Sequence, residues 1–236
     1  MGIKYGVPEL SLTLPLYNEE ICAQDIILDL IKTFDEAKIN YELVLVDNAS
    51  TDRTPKIVED FAKKYPKIYA IHLQKNLRFG GGVTTGLKNC RGKYLGFTAG
   101  DGQVTAVDTL RIYNFLKSSG FDICKATRID RKERLIRNIL SIVYNFLVFL
   151  LFFRAIPDVN GYPMIMKRVA YEKINPSSKN WMINIEILQK ANKNKLKVAS
   201  IPVKYSRRKS GRSHVNSSTL LEFIIQLLSF RFANLR

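Results

Sequence analysis

Hydrophobic and polar positions change period several times along the chain, and each change marks an element. Leu10 to Leu16, "LSLTLPL", is mostly apolar over strand length and predicts a first strand. Residues 21–37 place Ile26, Ile27, Leu30, Ile31 and Phe34 at helical spacing and predict an amphipathic helix. Tyr41 to Asp47, "YELVLVD", is a near-continuous apolar run, as a parallel strand buried on both faces requires. "NASTDRT" then brings turn residues, and Asp52 is expected to cap the helix running through Val58, Phe61 and Ala62. Ile68 to Leu73 predicts a third strand, "GGGVTTGLKNC" the opening of a helix, and Lys93 to Ala99 a fourth strand. This alternation predicts an α/β fold, a doubly wound, mostly parallel sheet with helices on both faces.

The pattern changes in the second half. Residues 105–119 predict a helix and Asp122 to Arg128 a short strand that ends on a basic residue. "RKERLIRNILSIVYNFLVFLLFF" follows, charged at its front and almost wholly apolar from Ile139 to Phe153. The apolar part is shorter than the ~20 residues a membrane-spanning helix needs. An amphipathic helix lying in the membrane interface, over about residues 133–153, is expected; an ordinary buried helix is the alternative. Thr219 to Phe232 repeats the pattern within a C-terminal segment, 216–236, either as a second interfacial helix or as the start of a membrane segment.

Charge sharpens this division. Residues 1–100 carry 13 Lys+Arg against 12 Asp+Glu, whereas residues 101–236 carry 24 against 9, so the net charge of +16 resides almost entirely in the second half. Such an excess attracts polyanions: phosphorylated ligands, an anionic membrane surface or nucleic acid. Nucleic acid fits least, because the basic residues flank an apolar helix and not an aromatic-studded platform. Cys22, Cys90 and Cys124 have no metal or disulfide spacing, which predicts reduced thiols in a cytosolic setting. Met1 to Glu9 lacks a long apolar core, so no signal peptide is expected.

Ligands of doubly wound sheets sit at the carboxyl ends of strands. Three loops fall there: "PLYNEE", "VDNASTD" and "AGDGQ", all rich in Asp, Asn, Glu or Gly. The glycines of "NLRFGGGVTTG" mark a place where backbone approaches something closely. That loop lacks the Lys-Ser/Thr pair of a phosphate loop, and the chain has no G-x-G-x-x-G in its first βα turn. ATP hydrolysis and hydride transfer are therefore not indicated.

"LSLTLPLYNEE", "ELVLVDNASTD", "NLRFGGGVTTGLKNCRGKYLGFTAGDGQ" and "WMINIEIL" occur in an order and spacing that resembles family 2 glycosyltransferases of GT-A fold. Within that family the chain resembles dolichol-phosphate mannose synthases and related polyprenyl-phosphate glycosyltransferases. The resemblance covers roughly residues 8–215, read as one transferase domain with a nucleotide-binding half (1–104) and an acceptor half (105–215). It implies that Pro15, Tyr17, Glu19 and Asp47 hold the nucleotide, with Asn48 where the family often has a second acid. The family's Asp-x-Asp-x-Gln segment, which binds Mg²⁺ or Mn²⁺ and the diphosphate, falls on Ala99, Asp101 and Gln103. One metal-side acid is thus missing, and the site is expected to be weak for free metal. Mg²⁺ typically uses only one or two carboxylates beside phosphate oxygens and waters. A turn or helix cap is the alternative role of Asp101.

The resemblance further implies Arg128, Arg137 and Ser141 at the acceptor phosphate, with Arg137 and Ser141 four apart on one helical face. Arg131, Lys132 and Arg134 are left to lipid headgroups. "VNGYPMIMKR" resembles a Ser-Gly-Phe segment near the sugar, with Asn160 in the serine's place. Glu186 is implied near the acceptor as a catalytic group, partly buried with a raised pKa, or else as a helix-surface glutamate. "YSRRKSGRSHV" resembles a loop that closes over the diphosphate, implying Arg208, Gly211 and Ser213, with His214 where a Lys is common. The implied activity is inverting transfer of a hexose from a GDP-mannose or UDP-glucose type donor to a polyprenyl phosphate. It would act at the cytoplasmic face of a membrane, with Asp101, Glu186 and Arg208 as the catalytic set. Two other readings stand beside it: an inactive scaffold that binds nucleotide sugar or lipid, motivated by Ala99 and Asn48, and a transferase acting on a glycan hydroxyl.

Overall fold

The computed structural model describes residues 6–129 and 158–206, together with the single position 226. The segments expected as interfacial helices, 133–153 and 216–236, lie outside the described residues, Gln226 excepted. No described helix is long and apolar enough to cross a membrane.

The first half follows the hydrophobic pattern closely. Strand β1 (Leu10–Leu16), helix α1 (Ala23–Glu36), β2 (Tyr41–Asp47), α2 (Thr54–Lys64), β3 (Ile68–His72), α3 (Arg78–Asn89) and β4 (Tyr94–Phe97) alternate as expected. Helix α4 (Ala106–Ser118) and β5 (Ile123–Ile129) come next. Beyond them lie β6 (Met164–Lys167), α5 (Arg168–Ile174), α6 (Ile183–Lys193) and β7 (Val198–Lys204), of which only the helix around Glu186 was read from the sequence.

All seven strands form one sheet in the order β3-β2-β1-β4-β6-β5-β7. The β1–β2, β2–β3 and β1–β4 pairs are parallel. β6 is antiparallel to both β4 and β5, and β7 lies parallel to β5. The β1–β2–β3 connections step outward on one side of β1, and the chain then crosses over so that β4 pairs with its other side. The strand order therefore reverses between β1 and β4, and such a switch point opens a crevice at the strand carboxyl ends.

Alternation along β1 shows how the two faces are filled. Leu10, Leu12, Leu14 and Leu16 join a core with Ile27, Leu30 and Phe34 of α1, Val58 of α2, and Ile112 and Leu116 of α4. The second core places Val83 and Leu87 of α3, Ala170 of α5, and Ile183, Ile187 and Leu188 of α6 over the other face. Burying a leucine-sized side chain contributes about 1.5–3 kcal/mol, so these two layers are the main support of the sheet. On the α3 side β1 carries Ser11 and Thr13, both fully buried. Each is satisfied across the sheet: Ser11 Oγ donates to Glu42 Oε1 (2.6 Å) and Thr13 Oγ1 to the Val44 carbonyl (3.0 Å). Helix α3 comes down directly on them. A Cβ at Gly86 would stand 1.8 Å from Thr13 Oγ1, and one at Gly82 2.7 Å from Pro15 Cβ. The close approach expected of the "GGGVTTG" run is thus helix backbone onto β1.

Candidate active site at the strand ends

The loops after β1 and β2 are fastened to each other. Asn18, in the left-handed region at φ 53°, accepts from Thr51 N through Oδ1 (2.8 Å), while its own N–H donates to Ser50 Oγ (3.0 Å). Glu19 N donates to Thr54 Oγ1 and Glu20 N to Asp52 Oδ2. Asp52 Oδ1 accepts from Thr54 N (2.9 Å), but the N-cap of α2 is Arg53, so Asp52 holds the first helical N–H from one residue before the cap position expected of it. Pro15, Tyr17 and Glu19 are therefore carried on a rigid rim next to Asp47, whose strand position pairs with Leu16.

Asp47 is buried at the end of β2. Its Oδ1 accepts from Ser50 N (3.0 Å) and its Oδ2 faces His72 Nδ1 (3.3 Å). Asn48 is buried beside it and uses its amide inward: Oδ1 accepts from Leu77 N (2.8 Å), and Nδ2 donates to the Arg78 carbonyl (2.9 Å) and Asn76 Oδ1 (3.2 Å). Asn48 sets the entry of α3, a job for which an amide, being both donor and acceptor, is suited and a carboxylate is not.

Asp101 sits just past β4, on the other side of the switch point. A Cβ on Gly100 would lie 2.2 Å from Leu16 Cδ2, so this loop presses against the end of β1. Asp101 Oδ1 accepts from Gln103 N (3.1 Å) and Oδ2 from the Tyr162 hydroxyl (3.0 Å). Gln103 bonds Ser206 twice, its carbonyl accepting from Ser206 N (3.0 Å) and its Nε2 donating to Ser206 O (3.1 Å). Ser206 is thus tied to the Asp101 loop. Arg208, Gly211 and Ser213, like Arg137, Ser141, Arg131, Lys132 and Arg134, lie outside the described residues.

For a divalent cation the donor set is sparse. Among the described residues no group of three His, Cys, Asp or Glu side chains could hold a metal. Asp101 is a half-buried carboxylate with a hydrogen-bond donor on each oxygen. One such anion fits a cation that brings phosphate oxygens with it, and does not fit one bound by protein alone.

Two expectations change with the partners found. Arg128, implied at the acceptor phosphate, is held by Asp158: Nε donates to Oδ2 (2.8 Å) and Nη2 to Oδ1 (2.6 Å). Its backbone N–H also reaches Asp158 Oδ2 (2.8 Å), and both side chains are largely buried. The guanidinium already has its counter-ion, so it is not a free cation waiting for a phosphate. Glu186 is buried but its pKa is lowered, against the raised value expected. Burial pushes it up, and this is outweighed by hydrogen bonds from Lys190, Ser178 and Ser177. Oε1 accepts from Lys190 Nζ (2.5 Å) and Ser177 Oγ (3.1 Å), Oε2 from Ser178 N (2.7 Å). Glu186 thereby anchors the 177–181 loop on the start of α3, where Gly81 N donates to the Lys179 carbonyl (2.8 Å). Trp181 stacks on Phe79 (centroids 6.0 Å apart), and Phe79 lies 6.2 Å from the Tyr162 ring.

A pH dependence follows. A carboxylate whose folded pKa is depressed stabilises the fold above its unfolded pKa, and that stabilisation is lost as pH falls through the folded value. Glu186→Gln is expected to lower the melting temperature at pH 7, with the gap to wild type closing as pH drops below about 4.5, the ordinary glutamate value. Melting curves from pH 7 to pH 3 check this; a gap independent of pH would mean that the charge is not what anchors the loop.

Sequence reasoning missed three residues. Tyr162 and Tyr205 meet through their hydroxyls beside Asp101. Asn184, buried on α6, points its amide nitrogen at Asn160 Oδ1 (3.5 Å), and its Oδ1 has no partner among the described residues. Only the polar interruption in the apolar run "MINIEIL" could have drawn attention to Asn184.

A reversed strand order, acidic and amide side chains on three strand ends, and an antiparallel β6 inserted between β4 and β5 define a GT-A glycosyltransferase architecture. Glucosyl-3-phosphoglycerate synthase from Mycobacterium tuberculosis, crystallised with Mn²⁺, UDP and phosphoglyceric acid, superposes with a TM-score of 0.74 at 14% identity. That match covers 95% of this chain and 78% of the synthase. The family described as Glycosyl transferase family 2 matches residues 11–175, and the chain belongs to it. Among its relatives, the dolichyl-phosphate beta-glucosyltransferase of Dictyostelium discoideum is 28% identical over 217 residues, 84% of this chain. The protein of the same name from Saccharomyces cerevisiae is 27% identical over 221 residues, 83% of this chain. The chain spans 66% of the length of each of these two relatives.

Proposed function

We propose that this protein transfers glucose from UDP-glucose to a polyprenyl phosphate, with inversion at the anomeric carbon. The observation that carries the reading is the rim itself. Asp47 and the Pro15–Glu19 loop lie on one side of the switch point and Asp101 on the other, within a chain similar to dolichyl-phosphate beta-glucosyltransferases over 84% of its length. Pro15, Tyr17, Glu19 and Asp47 receive the base and ribose, and Asn48 holds the α3 entry that backs them. Asp101, with Gln103, would hold Mg²⁺ or Mn²⁺, which when bound supplies positive charge to the departing diphosphate. Arg208, Gly211 and Ser213 are assigned to that diphosphate, with Arg208 adding charge stabilisation where the leaving group develops it. Arg137 and Ser141 hold the acceptor phosphate, with bidentate geometry favouring the arginine. Ion-paired Arg128 shapes that end of the site through Asp158.

The state of Glu186 supports a phosphate acceptor. A sugar hydroxyl needs a placed general base, whereas Glu186 is saturated by Lys190, Ser177 and Ser178. A phosphate monoester, with a second pKa near 6, is largely ionised at neutral pH and attacks the anomeric carbon without one. A lipid-borne acceptor and the basic second half both support work at an anionic membrane surface, and the cytoplasmic face is proposed with it. The test is transfer of labelled glucose from UDP-glucose, with GDP-mannose in parallel, to a short polyprenyl phosphate in detergent with Mn²⁺. Transfer from UDP-glucose supports the proposal. Transfer from GDP-mannose instead reassigns the sugar, and tight UDP binding without any transfer makes the protein an inactive scaffold, as Ala99 would suggest.

A further inference from the structure

We infer that Tyr162 is a positioning residue for Asp101, held through Tyr205 against the buried Arg128–Asp158 pair, and that it tunes how the site takes a metal-bound diphosphate. The inference rests on the proposed nucleotide-sugar site and deepens it. Its ground is a continuous chain of contacts. The Tyr162 hydroxyl lies 3.0 Å from Asp101 Oδ2 and also meets the Tyr205 hydroxyl. Arg128 packs over both rings, its guanidinium carbon 5.1 Å from the centroid of Tyr205 and 6.0 Å from that of Tyr162. Asp158 fixes Arg128 in turn.

The proton order follows from donor capacity. An ionised carboxylate only accepts, so the single hydroxyl hydrogen of Tyr162 is committed to Asp101. Tyr162 then has only lone pairs to offer Tyr205, and Tyr205 must donate. The hydroxyls thus point in sequence toward Asp101, with the guanidinium behind them, and donors aligned in this way polarise one another. In the loop "AGDGQ", with alanine at position 99, Asp101 is the sole carboxylate. Its orientation matters correspondingly more, and the half-buried phenol of Tyr162 fixes its second oxygen while Gln103 N fixes the first. Partners of this kind typically change metal affinity 10–100-fold when removed.

Tyr162→Phe keeps the ring that packs on Phe79 and removes only the hydroxyl. The experiment is calorimetric titration of wild type, Tyr162→Phe and Tyr205→Phe with UDP, in Mn²⁺ and again in EDTA, alongside thermal unfolding. Expected for wild type is tighter UDP binding in Mn²⁺ than in EDTA. Tyr162→Phe is expected to weaken binding in Mn²⁺ about tenfold and to leave the EDTA affinity unchanged, with Tyr205→Phe shifting in the same direction by less. Equal weakening in both conditions shows a merely structural role and overturns the inference. So does unchanged affinity in Mn²⁺. Wild type that binds UDP equally with and without Mn²⁺ overturns the inference while leaving the nucleotide site standing, and wild type that binds no nucleotide overturns both.

Discussion

Asp101→Ala is expected to lower kcat for glucosyl transfer about a thousandfold, at the upper end of what loss of a single preorganised electrostatic group costs. The size follows from how little else is there. Among the described residues Asp101 belongs to no group of three His, Cys, Asp or Glu side chains that could hold a metal, and position 99 of the same loop is an alanine. The side chain is half-buried at the tip of a loop, outside both hydrophobic layers. Its removal should therefore leave the melting temperature close to wild type while the reaction stops. Asp101→Asn tests the charge separately: it keeps an oxygen for Gln103 N but removes the anion, and should fall nearly as far. Initial rates over a range of Mn²⁺ and UDP-glucose concentrations check both variants. A variant retaining a tenth of the wild-type kcat would remove Asp101 from the chemistry.

The second large effect is on stability. Asp158→Ala leaves Arg128 without its partner in a setting where the side chains are 14% and 6% exposed, for arginine and aspartate respectively. Removing one member of a buried pair costs about 3–5 kcal/mol, because the other charge stays desolvated. Asp158 also ties the 158–161 turn to β5. Its carbonyl accepts from the fully buried Lys125 Nζ (2.8 Å), and a Cβ on Gly161 would stand 2.0 Å from the Ala126 carbonyl. Urea unfolding should show a lower midpoint with an unchanged slope. The double change Arg128→Met with Asp158→Leu is expected to recover most of the loss, since apolar replacement of a whole buried pair is often neutral or better. A double variant no more stable than Asp158→Ala would point to the turn, and not to the stranded charge, as the source.

The boundary between what was legible and what was not runs through particular residues. β2 was read residue for residue as Tyr41–Asp47, because a strand buried on both faces is near-continuously apolar, with Glu42 the one polar residue before Asp47 ends the run. The position of Asp47 and Asp101 at a sheet rim followed from the same logic. β7 and β6 were not read. The burial of β7 alternates irregularly, and the four residues of β6 are too few to show a period. That β6 runs antiparallel between β4 and β5 depends on the path of a chain that returns from elsewhere, which no local pattern encodes.

Side-chain roles divide the same way. The sequence by itself determined the alternating fold of the first half, the placement of the acidic and amide loops at strand ends, and the concentration of positive charge in the second half. These depend on local period and composition. Only the tertiary structure decided that Asn48 holds the α3 entry, that Glu186 is an anchored anion, that Arg128 is already paired, and that Tyr162 and Tyr205 converge on Asp101. A hydrogen bond between residues 61 apart, as between Tyr162 and Asp101, exists only once the sheet has brought two strand ends together. Proximity after folding, and not spacing along the chain, then sets each group's charge and availability.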